Sequence, residues 1–587
     1  MLQFLKYVLA TIVGIFLFSI LFFMIFAGIG TALSSEEKVV ISDKSVLKLD
    51  LNKTIQEIGV ENPFSDLGGP FGGEEVTGLN DILDAIKYAK TDDNIKGIYL
   101  QSDATASGWA MLEEIRNQLL DFKKSGKFIV TYAEAYSEKG YYLASVADKI
   151  HLNPSGDLEW NGISAEYQFF KGTFDKLGVK PEVFRVGEFK SAVEMFSRSD
   201  MSEASKKQSS ELLGAINNNF LKNVSSSRGI SQEKLKNLAD SLLIENPVAA
   251  LKYKLVTNLS YWDEVENNLK KELDVEDKKN IPFITIGKYL KGVNKTEKGD
   301  FNKRIAILVA DGEISSGEGD NGGISSEKFV KELRKARKND KIKAIVLRIN
   351  SPGGSALASD VMWREIQLTA KEKPIIASMS DVAASGGYYM AMGCDTIVAQ
   401  PNTITGSIGI FGLIFNVTDF MNNKLGVTFD GVGTSPHSDW PTATRNMSEF
   451  EKSRIQKSVN QGYETFTTKA AAGRKMPVEK LKELASGRVW SGVEAKENGL
   501  VDVLGGIEDA VKIAATAAHL KEGEYRVRYY PEKKKPLDEL LNKIMNDSEE
   551  NAMNNRLGPL AEYAKMYEKL KNMNGIQARI PFELTIK

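Results

Sequence analysis

A single cysteine and three histidines in 587 residues close off several chemistries at once. Cys394 can form no disulfide within the chain and no Cys-rich metal site. It falls in an apolar helical run and is taken as a small core residue. His151, His437 and His519 are too few for a multi-histidine zinc site. Neither sign of charge is in excess: 76 Lys+Arg against 78 Asp+Glu leave a net charge of −2, which gives no electrostatic case for nucleic acid binding. No Gly-x4-Gly-Lys-Ser/Thr pattern is present, which argues against an ATP-fuelled machine within this chain. Gly317-Glu-Gly-Asp-Asn-Gly322 matches a dinucleotide pattern, but its acidic residues would repel a pyrophosphate and it is taken as a loop.

What is present begins with an uncharged N-terminal stretch. No charged residue occurs from Tyr7 to Ser35, and Val8 to Leu33 is apolar apart from Thr11, Ser19, Thr31 and glycines. That exceeds the ~20 residues a bilayer crossing takes. The run is longer than the apolar core of a cleaved signal peptide, although the small residues at Thr31-Ala-Leu-Ser-Ser35 keep cleavage open. Lys6 precedes it and Glu36 and Glu37 follow, so charge bias puts the N-terminus in the cytoplasm and the bulk of the chain outside.

The remainder repeats itself. Strand-like Ser45–Leu51 and Ile95–Leu100 flank a helical pattern at Leu79–Ala89. The same order returns as Arg304–Val309, Ser326–Ala336 and Ile342–Arg348. A constant offset of 247 residues carries Ile95 to Ile342, Gly140-Tyr-Tyr142 to Gly387-Tyr-Tyr389, and Pro154 to Pro401. This is one unit duplicated, not a solenoid. Alternation of strand and helix predicts an α/β fold with a largely parallel sheet in each copy. The chain divides into an anchor (1–35), a first unit (36–270), a lysine-rich linker (271–302), a second unit (303–520) and a C-terminal extension (521–587). The extension is polar and helical in pattern over Leu537–Met573 and ends in Ile580–Ile586; it is expected to be a docking strap or a partly ordered extension.

The copies diverge where chemistry would sit. Asp381-Val-Ala-Ala-Ser385-Gly-Gly-Tyr-Tyr389 follows a β-type run and opens an apolar helical one. Ser385 therefore falls at a strand-to-helix turn among small neighbours, where free N–H groups and the helix dipole suit a developing oxyanion. Ser351-Pro-Gly-Gly354 ends the preceding strand, and its glycines can aim backbone N–H groups at a carbonyl oxygen. The first unit has Glu138 in place of Ser385 and Thr105-Ala-Ser107 in place of Pro352-Gly-Gly354. A serine nucleophile needs a base. Among the histidines, His151 and His519 are taken as structural, and His437, in a polar loop with Asp439, is the serious candidate.

Val186-Gly-Glu-Phe-Lys190-Ser-Ala-Val-Glu-Met-Phe196, Ser351-Pro-Gly-Gly354, Ala383-Ala-Ser-Gly-Gly387 and Thr405-Gly-Ser-Ile-Gly-Ile410 occur in that order. Together with the anchor and duplication, they resemble the long two-unit form of the signal peptide peptidase A family. The resemblance implies tandem Clp-protease/crotonase-like units and a membrane-anchored peptidase that degrades cleaved signal peptides and other short or unfolded chains. It implies Ser385 as nucleophile, Lys190 as general base, Ser407 orienting the lysine, and Gly354 and Gly386 as oxyanion donors. It also implies a homotetramer in the inner membrane with its catalytic part outside the cytoplasm, and no cofactor or metal. A free lysine titrates near 10.4, so the pocket must be apolar, with Glu188 and Glu194 turned away. Two other classes stay open: an acyl-thioester enzyme sharing the Gly-lined site, and a non-catalytic scaffold descended from a peptidase.

Overall fold

The computed structural model describes residues 2–34, 39–59, 77–293, 299–318, 323–530 and 575–580. The duplication is written into its sheets. In the first unit, six parallel strands stand in the order Asn258–Leu259, Lys149–Leu158, Phe128–Tyr136, Ile95–Gln101, Ser45–Asp50 and Phe283–Thr285. The second unit repeats that order with Val503–Leu504, Thr396–Ala399, Ile375–Ala384, Ile342–Ser351, Arg304–Asp311 and Arg526–Tyr530, again all parallel. Two further strands, Ile404–Gly406 and Val489–Ser491, extend the second sheet to eight. Helices follow the same repeat: Leu79–Thr91 and Trp109–Lys123 correspond to Ser326–Lys338 and Ala356–Ala370 at the offset of 247.

The central strands Ile95–Gln101 and Ile342–Ser351 are buried along almost their whole length, as expected of parallel strands covered on both faces. Two differences from the sequence pattern stand out. Residues 271–302, expected as a linker, contain the strand Phe283–Thr285 and the helix Ile286–Gly292, whose Ile284, Ile286 and Tyr289 are buried in the first core. The described parts of the C-terminal extension include strands: Arg526–Tyr530 joins the second sheet and Gly575–Arg579 a third. Arg526-Val-Arg-Tyr-Tyr530 has the β-branched and aromatic content that fits a pleated surface. The helical pattern at Leu537–Met573 lies outside the described residues.

The two units are bound through charge as well as apolar packing. Arg348, fully buried on a central strand of the second sheet, donates to Glu57 (2.8 Å) and bidentately to Glu114 (2.8 and 3.3 Å) of the first unit. Ser378 and Ser380 accept its remaining N–H bonds. Asp381, at the end of the strand that carries Ser385, accepts from the Ala110 and Met111 N–H groups (both 2.9 Å) and so caps the first unit's helix Trp109–Lys123 from across the junction. The third sheet also crosses it: Lys180–Arg185 of the first unit pairs antiparallel with Phe411–Asn416 of the second.

A helix spans Leu2–Ser34. Among the described residues no helix is long and apolar enough to cross a membrane. The contiguous part of this helix with described side chains, residues 9–21, is shorter than a bilayer crossing requires.

Candidate active site

The strand Ile375–Ala384 ends one residue before Ser385, and the helix Gly386–Ala391 begins one residue after it. Ser385 is the N-cap of that helix, with φ 55° and ψ −108°, a region that L-residues rarely occupy. Such a backbone costs roughly 1–3 kcal/mol and persists only where its surroundings fix it. Two bonds do so: Ser385 N–H donates to Gly406 O (2.9 Å), and Ser385 O accepts from Tyr389 N–H (2.8 Å). The strained turn leaves the first N–H groups of the helix without intrahelical acceptors.

Lys190 reaches this turn from the other unit. Its Nζ lies 2.9 Å from Ser385 Oγ, 2.9 Å from Ser407 Oγ and 3.0 Å from Ser407 O. Lys190, Ser385 and Ser407 are fully buried. Burial alone drives the Lys190 ammonium well below its ordinary pKa, because no carboxylate stands close enough to oppose it. The two acids nearest in sequence are turned away as the chemistry demands. Glu188 is exposed, and Glu194 accepts from Ser202 N–H (3.1 Å) and Oγ (2.7 Å). Ser407 has φ 49° and is pinned by its N–H bond to Arg488 O (2.7 Å). A neutral amine in this position can accept the Ser385 proton, while the Ser407 oxygens hold its own N–H groups.

The Gly pair stands beside the serine. Ser351 Oγ accepts from Gly353 N–H (3.2 Å) and donates to Gly312 O (2.7 Å), which fixes the turn. Gly354 has φ 155°, and a Cβ there would fall 2.1 Å from Ile314 O, so the position is closed to any other residue. Lys190 of the first unit thus meets Ser385 and Ser407 of the second, and Gly354 and Gly386 belong to the second unit as well.

The histidine alternatives are engaged elsewhere. His437 Nδ1 is 3.1 Å from Glu451 Oε1 and its ring stacks on Phe450, on a half-exposed surface. His151 is buried against Ser260 Oγ (3.1 Å), and burial pushes its pKa down to about 4. In the first unit, Glu138 occupies the turn and accepts from Asn161 and Gly162 N–H (3.0 and 2.9 Å). Burial raises it to about 7.

Two contributors escaped the sequence. Gly487 lies so close to the lysine stem that a Cβ there would be 2.6 Å from Lys190 Cβ and 2.7 Å from its backbone N. Gln208 donates from Nε2 to Phe189 O (3.1 Å) and Ser191 Oγ (2.9 Å), bracketing the lysine. Neither belongs to a motif; the only signal for Gly487 was a glycine between polar residues ahead of a strand.

The model of peptidase family S49 matches this chain twice, at residues 121–276 and 367–521, each match falling in one copy of the duplication. The chain belongs to peptidase family S49. Its relatives in that family agree. It is 40% identical over 440 residues to the chloroplastic serine protease SPPA of Arabidopsis thaliana, covering 74% of this chain and 64% of that protein. It is 38% identical to Protease 4 of Salmonella typhi, over 79% of this chain and 76% of the relative. Protease 4 of Haemophilus influenzae is 34% identical over 82% of this chain and 79% of its own. Family membership makes the chain a serine endopeptidase.

Proposed function

We propose that this S49 peptidase works by a Ser385–Lys190 dyad assembled from both units. The observation that carries this is the 2.9 Å contact between Lys190 Nζ and Ser385 Oγ in a fully buried pocket without a carboxylate. Lys190 takes the serine proton as Oγ attacks a peptide carbonyl carbon. The N–H groups of Gly354 and Gly386 hold the resulting oxyanion. Lys190 then gives its proton to the leaving amine, and water hydrolyses the acyl-enzyme under the same base. Ser407 keeps the lysine aimed. The repeated strand order and the Gly-lined turn support a Clp-protease/crotonase-like fold for each unit.

The substrates in this reading are cleaved signal peptides and other short or unfolded chains beside a membrane. The uncharged N-terminal run supports anchorage, with the N-terminus cytoplasmic and the peptidase outside. Side chains such as Phe4, Leu9, Phe16 and Phe18 are exposed on that helix, as a lipid-facing surface would be. Resemblance adds a homotetramer, which light scattering of the detergent-solubilised chain would test.

The deciding experiment is hydrolysis of a small-side-chain peptide ester across pH 6–10 by wild type, Ser385→Ala, Lys190→Ala and His437→Ala. Loss in the two dyad variants with His437→Ala active is the expected outcome. Loss with His437→Ala and survival with Lys190→Ala would overturn it.

A further inference from the structure

Between the lysine loop of the first unit and Ser407 of the second runs a short segment, residues 486–488, that no sequence motif marks. Its backbone groups alternate sides. Ser486 O accepts from the N–H of Phe189, the residue before Lys190 (3.0 Å). Gly487 N–H donates to Ile408 O (2.9 Å), and Arg488 O accepts from Ser407 N–H (2.7 Å). The fit is tight on the lysine side. A Cβ on Gly187 would be 2.4 Å from Ser486 O, and a Cβ on Gly409 would be 2.9 Å from Gly487 Cα and 3.2 Å from Lys190 Cδ. Ser486 takes φ 55° on this path, a left-handed value that persists only where its surroundings hold it. The segment thus closes over the lysine stem and also sets Ser407, whose two oxygens hold Nζ.

One side chain ties the segment down. The Arg488 guanidinium crosses the junction to the Glu211 carboxylate, on the helix Glu203–Arg228 of the first unit. It lies 4.0 Å from the centroid of the Trp490 ring and 5.3 Å from that of Phe189. A planar guanidinium can pair with a carboxylate at its edge while its face stacks on a ring, which a lysine ammonium does not reproduce. Trp490 Nε1 donates to Leu484 O (3.0 Å), so that ring is itself anchored. Gln208, three residues before Glu211 and on the same helix face, binds the Phe189 carbonyl and Ser191 and accepts from Val489 N–H (3.4 Å).

Lys190 depends on this closure. Burial alone lowers its pKa. The charged groups around it are occupied or turned out: Glu188 is exposed, Glu194 is bound by Ser202, and Arg488 and Glu211 satisfy each other. Water admitted beside the amine would return it toward the ammonium form.

We propose that Arg488 is a positioning residue for the general base: held by Glu211 and stacked with Trp490 and Phe189, it keeps residues 486–488 closed over Lys190 and so holds the amine dry and aimed at Ser385. The proposal rests on the Ser385–Lys190 reading and adds the side chain that keeps the two units' halves of the dyad in register. Arg488 acts through Phe189 and Ser407, not on the substrate.

The test is the pH profile of kcat/KM on the small-side-chain peptide ester, from pH 5 to 10, with the detergent-solubilised full chain. The acid limb of that profile follows the proton on Lys190 in the free enzyme. Arg488→Lys keeps a cation for Glu211 but loses the planar stack. Its acid limb is expected about 1 pH unit above that of wild type, so kcat/KM on the limb falls about 10-fold and recovers on the alkaline side, with KM little changed. Glu211→Gln, on the other unit, is expected to move the limb in the same direction by less. An acid limb unmoved by Arg488→Lys, even with a lowered urea midpoint, would reduce the contact to a structural one and overturn the proposal while the dyad stands. If Arg488→Lys does not fold, the limb of Glu211→Gln decides in its place. Lys190→Ala as active as wild type would remove the dyad and this proposal with it.

Discussion

Replacing Lys190 by methionine should abolish activity and, at neutral pH, make the protein more stable. The side chain is fully buried, and desolvation lowers its pKa well below the ordinary lysine value. Between its folded pKa and the ordinary 10.5, the unfolded chain binds one proton here that the fold does not. Wild-type stability therefore rises with pH across that window, by about 1.4 kcal/mol per unit, and the penalty is gone above it. Against the penalty stand the three bonds to Ser385 Oγ, Ser407 Oγ and Ser407 O, together about 3 kcal/mol. Methionine keeps the apolar stem and loses both terms, so Lys190→Met should be the more stable wherever the penalty exceeds about 3 kcal/mol, roughly two pH units or more below the ordinary lysine value. The gain should shrink as pH rises and reverse between about pH 8 and 9. Urea midpoints of the two proteins at pH 6.5, 7.5, 8.5 and 9.5, with ester hydrolysis at each, measure this. A stability difference that does not change with pH would mean a charged Lys190 in the fold, and the base assignment would fall.

Ser407→Ala removes one of the lysine's two Ser407 contacts and leaves the carbonyl bond. We expect a fall of about 10-fold in kcat/KM with the urea midpoint little changed. Gly354→Ala drives a methyl into Ile314 O and displaces the strand that carries the proposed oxyanion donor. A loss of about 10²–10³ in kcat on the ester is expected; near-normal kcat would exclude Gly354 from the oxyanion site. Arg348→Met leaves Glu57 and Glu114 buried without their cation, so the urea midpoint should drop by the equivalent of about 3–5 kcal/mol, most steeply at high pH.

Much of the second unit could be traced from local pattern because local forces decide it. The turn at Ser385 was legible since a β-type run, small residues and an apolar helix leave few conformations, and the structure makes Ser385 an N-cap there. The duplication was legible because homologous copies keep their buried strands, and both sheets have one strand order. The strand Phe283–Thr285 was not legible. It is three residues long in a charged stretch, and it exists only because the edge of the first sheet receives it. Nor was Gln208, a polar helix residue whose position matters only through what packs beside Phe189.

By itself the sequence determined the α/β class, the repeat and the residue types that the proposed Ser–Lys pair needs, since periodicity, spacing and motif order are properties of the chain. The tertiary structure decided which candidate base meets the serine. Lys190 and Ser385 are 195 residues apart, and their contact depends on the packing of two units across Arg348, Asp381 and the third sheet. It also decided what pairs with the glycine strand Gly353–Ser355. A short strand near the C-terminus has no local pattern that sends it to the oxyanion turn; only the open edge between Gly353–Ser355 and Phe411–Asn416 gives its backbone groups partners there.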